Sequence, residues 1–134
     1  MLTVRPESVC FIVVKAREFG AKVEPNDPES GSNPSDDKGI DVLEAHADDA
    51  TLDELKGAIE ALNEDESRDL VALMWVGRGD YGKATWQDAR AQANSIPPRD
   101  RSRYLIGTPM LGDYLEQGLD EFGLSCAEFE MGRM

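Results

Sequence analysis

The hydrophobic positions of this chain recur mostly at helical spacing. Val9, Ile12, Val13, Ala16 and Phe19 follow i, i+3, i+4, i+7, i+10, the stripe of an amphipathic helix. Pro6 suits the first turn of that helix, where a missing N–H costs nothing, and Gly20 supplies a stop. The β-branched run Val9–Val14 would also suit a buried strand. Lys15-Ala16-Arg17-Glu18 propagates a helix well and favours helix over Pro6–Phe19.

The next stripe is Leu52, Leu55, Ile59 and Leu62, opened by the capping box Thr51-Leu52-Asp53-Glu54. Asn63-Glu64-Asp65-Glu66 is a second signature of the same kind. Leu70, Val71, Leu73, Met74 and Trp75 then cover a wide arc, which predicts a helix at the centre of the core, ending at Gly77-Arg78-Gly79-Asp80. Thr85-Trp86-Gln87-Asp88 opens a further capped helix to about Asn94, broken by Pro97-Pro98. Arg99–Ile106 makes a short helix with Tyr104 and Leu105 facing inward. Thr108 as N-cap and Pro109 at the first helical position precede the stripe Leu111, Tyr114, Leu115, Gly118, Leu119 and Phe122, with Gly123 as stop. Ser125-Cys126-Ala127-Glu128 is one more capping box, flanked by Leu124 and Phe129 as a hydrophobic staple, and predicts a short helix to about Met131. With no internal repeat and no clean period-2 strand, the pattern describes an all-α, single compact bundle of about six helices.

One segment breaks the pattern. Residues 24–39 hold three prolines, two glycines and three serines and no apolar period, which predicts a long acidic loop near the N-terminus. Asp41–His46 reads equally as a helical turn or an extended segment. At 134 residues the chain has the length of one domain, 1–134, with room for a real core.

Charge sharpens this picture. The formal net charge is −13. Residues 1–23 carry four basic and two acidic side chains, residues 24–69 three and sixteen, and residues 70–134 seven and nine. The middle third therefore holds the whole imbalance. Such a surface repels phosphate backbones and anionic membranes, so no nucleic-acid or membrane partner is expected. No run of 18 apolar residues exists to span a bilayer, and the start of the chain lacks the form of a signal peptide. The expected location is the cytoplasm, and Cys10 and Cys126 are then expected as reduced, buried thiols, a disulfide being the minor alternative.

Candidate chemistry is sparse. Cysteine and histidine have no zinc spacing, and the acidic loop fails as a calcium loop in both glycine registers: Gly31 at position 6 puts Pro28 at position 3, and Gly39 puts Pro34 at position 1. No metal or cofactor is called for. His46, the single histidine, sits among Asp41, Glu44, Asp48 and Asp49, where a solvated role is the ordinary one. No nucleophile elbow or activated cysteine is present, so catalytic residues are not assigned. The Gly-rich connection 77–86 places Arg78, Asp80, Tyr81 and Trp86 on one short turn and is the first candidate for a small-ligand or peptide site. Arg99, Arg101 and Arg103, with Arg90 nearby, form the one basic patch, suited to a partner's acidic surface or to local pairing.

The motifs LVALMWVGRGD (70–80) and YLIGTPMLGDYLEQGL (104–119), taken together, resemble a small bacterial family known only as a domain of unknown function. The likeness spans about residues 40–123. It implies a soluble bacterial protein and brings no catalytic residues. Gly112 and Gly118 fall inside a helix, where each costs about 1 kcal/mol against alanine, which predicts a close helix approach within the monomer or across a dimer. The function these features favour is a non-enzymatic helical protein-interaction module, meeting a basic partner or a second copy of itself. The alternative is a small-ligand binder or enzyme with its site near the 77–86 turn.

Overall fold

The computed structural model describes residues 2–22 and 49–126. The 24–39 loop, the Asp41–His46 segment, His46 and the helix expected to run to Met131 lie outside the described residues. Among those described there are six α-helices, two single 3-10 turns and no strand. The helices are α1 (Pro6–Lys22), α2 (Ala50–Glu60), α3 (Glu64–Arg78), α4 (Trp86–Ala93), α5 (Arg101–Ile106) and α6 (Leu111–Glu121). The expected all-α bundle is the observed architecture.

The stripes become the core. Val9, Cys10, Ile12, Val13 and Phe19 of α1 are buried, as are Leu52, Leu55 and Ile59 of α2. In α3 every residue from Leu70 to Val76 is buried, so this helix is covered on all sides. It is central: α6, α4 and α5 all pack on it, while α1 lies across α6 and α2. Gly20 does not stop α1, which continues to Lys22. One exposed glycine within a helix costs too little to end it when the flanking residues are good helix formers.

Several caps differ from expectation. Asp49, not Thr51, caps α2, accepting from the amides of Thr51 at 2.8 Å and Leu52 at 3.2 Å. A carboxylate two residues upstream satisfies the first amides and meets the positive helix end, so the helix starts earlier. The Asn63–Glu66 capping box forms as expected, with both bonds at 2.8 Å. Thr85 stands at the N-cap of α4 without capping it; its hydroxyl instead takes the amide of Gly82 at 2.9 Å. Thr108 does not cap α6 either. Its hydroxyl donates to the carbonyl of Tyr104 at 2.9 Å, and α6 begins at Leu111 behind Met110, whose φ is 62°.

The α3–α6 contact explains one of the two in-helix glycines, Gly118, and adds Gly77. A Cβ on Gly118 would meet the carbonyl oxygen of Leu73 at 2.5 Å, and one on Gly77 would collide with the carbonyl oxygen of Tyr114. The pairings 73 with 118 and 77 with 114 make the helices antiparallel. Gly112 faces α1, where a Cβ would lie 3.1 Å from the carbonyl oxygen of Val13. The close approach therefore lies within the monomer. Gly77, expected as part of a terminator, is a contact residue; Gly79, in the left-handed region at φ 99°, ends the helix.

Cys10 and Cys126 form a disulfide, with their Cα atoms 5.5 Å apart. The expectation of two reduced thiols is thus corrected. The pairing joins α1 to the segment just after α6, a proximity set by the α1–α6 packing and invisible at a sequence separation of 116.

Candidate functional site

The end of α3 is built by its terminator. Gly79 donates its amide to the carbonyls of Trp75 and Val76, both at 3.1 Å, and the amide of Asp80 returns to Trp75 at 3.0 Å. This folds the chain back so that Asp80 sits under Arg78. Oδ2 of Asp80 accepts from Nε of Arg78 at 2.8 Å and from Nη2 at 2.6 Å. Burial lowers the Arg78 guanidinium, but the bonds and charge of Asp80, with help from Tyr104, outweigh it and leave Arg78 above its ordinary value.

The same turn carries Tyr81 onto Trp75, with ring centroids 5.9 Å apart and planes at 29°. Tyr104 of α5 closes the cluster. Its hydroxyl accepts from Nε1 of Trp75 at 2.9 Å, and its ring meets the indole edge-on at 6.4 Å. Because α3 and α6 run antiparallel, the start of α6 lies at this end of the bundle too. Met110, the N-cap of α6, is 60% exposed and is the exposed large hydrophobic residue among those described. Trp75 forms the buried floor; Tyr81 and Tyr104 are half-buried, and Arg78, Asp80 and Met110 are exposed.

Of the four residues expected near the 77–86 turn, Arg78, Asp80 and Tyr81 come together. Trp86 does not join them. It is buried, with its ring edge-on to Phe122 at 5.1 Å, and its Nε1 has no partner among the described residues. Trp75 and Tyr104 join the cluster instead, with Met110 exposed at the same end of the bundle. Trp75 and Tyr104 read in the sequence only as core positions, and Met110 carried no pattern that distinguished it.

The basic patch is divided. Arg99 is exposed, and Arg103 pairs with Asp100 at 3.2 Å. Arg101, only 2% exposed, is drawn inside. Its Nε donates to the carbonyl of Ile96 at 2.9 Å, and Nη1 donates to the carbonyl of Glu64 at 2.7 Å and to the hydroxyl of Ser67 at 2.8 Å. Burial lowers its pKa, as expected for a cation held mainly by neutral oxygens. Arg90 is also committed, donating through Nε to Oδ1 of the fully buried Asp69 at 3.0 Å. Asp69 accepts from Arg68 Nε at 3.0 Å and, through Oδ2, from the amide and hydroxyl of Thr3, each at 2.8 Å.

A stacked aromatic floor, a fixed cation and an exposed thioether stand on the ends of three helices. Among the described residues no helix is long and apolar enough to cross a membrane. Residues 52–124 match the model of a family described as a protein of unknown function (DUF3775). The match spans α2 to α6 and includes every residue of this cluster. No curated protein and no solved structure matches the chain.

Proposed function

Since the chain belongs to this family of unknown function, its role has to be read from its own surface, and we propose a non-enzymatic helical protein-interaction module that works in the cytoplasm. The observation that carries this reading is the cluster of Tyr81 and Tyr104 on Trp75 beside Arg78, with the exposed Met110 at the same end of the bundle. Arginine, tyrosine and methionine are the side chains enriched at protein interfaces, and a buried aromatic beneath them supplies stiffness. The acidic starts of α2 and α3, with Asp53, Glu54, Glu64 and Asp65 all exposed, add long-range attraction for a basic partner. A second copy is the weaker candidate partner, because burial of Arg101 takes the middle residue out of the basic patch.

The test is native capture at low salt, comparing the full chain with a Tyr81→Ala/Met110→Ala variant and with an Arg5→Ala control remote from the cluster. A partner held at this end should be lost by the double variant by about tenfold or more and retained by the control. Equal retention by both would remove the site from the interface. The small-ligand reading near the 77–86 turn has less support, because Trp86 faces the core and Arg78 is already engaged by Asp80.

A further inference from the structure

Cys10 and Cys126 both lie outside residues 52–124, the part of the chain that matches the family. Their disulfide therefore ties together two flanking pieces. The elements that hold the matched part together do not pass through it. The α3–α6 crossing rests on glycines, the start of α3 rests on Asp69 and Arg101, and α1 is seated on α6 and α2 by Val9, Ile12 and Val13. The segment after α6 is short and non-helical, with Phe122 packed edge-on against Trp86. Gly123 turns it at φ 74°, the amide of Leu124 reaches the carbonyl of Leu119 at 2.9 Å, Leu124 is half-buried and Ser125 is exposed. Cys126 is then fully buried against α1.

We propose that the Cys10–Cys126 disulfide is a thiol-responsive clamp, whose reduction detaches the segment after α6 from α1 and leaves the α3–α6 core folded. In the cytoplasmic location proposed above, on which this inference rests, closed disulfides are in general transient and sensing rather than permanent, which suits a bond that fastens only a flank. The reductant is a dithiol. One of its thiolates attacks a protein sulfur, breaking the Sγ–Sγ bond and forming a mixed disulfide. Its second thiolate then displaces that sulfur and closes the reductant's own disulfide. Two electrons pass to the protein, and Cys10 and Cys126 each take up one proton as thiols. Both cysteines are buried, so attack requires the segment after α6 to open first.

The experiment uses the full chain purified without reductant. Alkylation in denaturant should modify neither cysteine; modification of both would show that no disulfide exists and overturn the proposal. Dithiothreitol without denaturant should then release both thiols while helical circular dichroism is retained. Hydrogen exchange should rise in peptides covering 119–126 and the Cys10 region, and stay unchanged in 64–78. A Cys126→Ser variant should reproduce that pattern. Thiols that stay unreleased would mark an inert bond, and exchange rising equally through 64–78, or a Cys126→Ser chain that fails to fold, would mark a staple for the whole fold; each result overturns the clamp.

Discussion

At its start, α3 is held by side chains. Asp69 draws in Thr3, Arg68 and Arg90, and Arg101 reaches Ser67 and the carbonyl of Glu64. At its other end, α3 is held by backbone: Gly77 lies against the carbonyl of Tyr114, and Gly118 against that of Leu73. The first arrangement depends on charge and direction. It tolerates a change of size better than a change of hydrogen-bonding capacity, because a buried charge left alone costs more than the pair contributes. The second depends on volume alone. It is indifferent to charge and intolerant of any added atom.

The comparison breaks most readily at the glycines. Gly77→Leu should destabilise the fold by about 4 kcal/mol or more, because two helix backbones must separate. Gly118→Leu should act in the same direction, and thermal unfolding of both variants measures it; an unchanged melting temperature would contradict the close crossing. Asp69→Ala comes next, at about 3 kcal/mol, since it strands two arginines that are each mostly covered. Urea unfolding would show it, and Asp69→Asn should recover only part of the loss. Arg101→Met should cost about 2 kcal/mol, leaving the carbonyls of Ile96 and Glu64 short of a donor while filling the space. Tyr104→Phe should cost about 1 kcal/mol by orphaning Nε1 of Trp75, with a change in tryptophan fluorescence as the local readout. The smallest effect belongs to Arg17→Ala, which removes exposed pairs with Asp113 and Glu116 and should fall below about 1 kcal/mol.

What the sequence made legible follows the same division. The α1, α2, α3 and α6 stripes were readable because helical burial repeats locally, and the Asn63–Glu66 box because both partners lie within one turn. The close helix approach was readable at Gly112 and Gly118, since a glycine inside a helix carries a cost that needs a cause. Gly77 was hidden by its neighbour Gly79, as two glycines near a helix end look like one stop signal. Arg101 was not readable at all. Its acceptors at Glu64 and Ser67 are 37 and 34 residues away, one of them a backbone carbonyl, and carbonyls leave no mark on a sequence. The Arg78–Asp80–Tyr81 turn was half legible: its residues and its floor at Trp75 lie within seven positions of one another, but Tyr104 is brought in by packing between helices. Trp86 misled because a large aromatic beside a loop fits a ligand site and a core equally well.

The glycine crossing also constrains how this chain can change over generations. A contact between two side chains can be revised in either direction, with a loss on one helix answered by a gain on the other. A glycine has no smaller neighbour among the amino acids, so every replacement at 77 or 118 moves toward greater bulk, and each faces a backbone carbonyl, of Tyr114 and of Leu73, that no substitution can trim, although at 118 the Leu73 side chain also stands close. The crossing is a ratchet with a single tooth, and the spacing of α3 and α6 can drift outward but never inward.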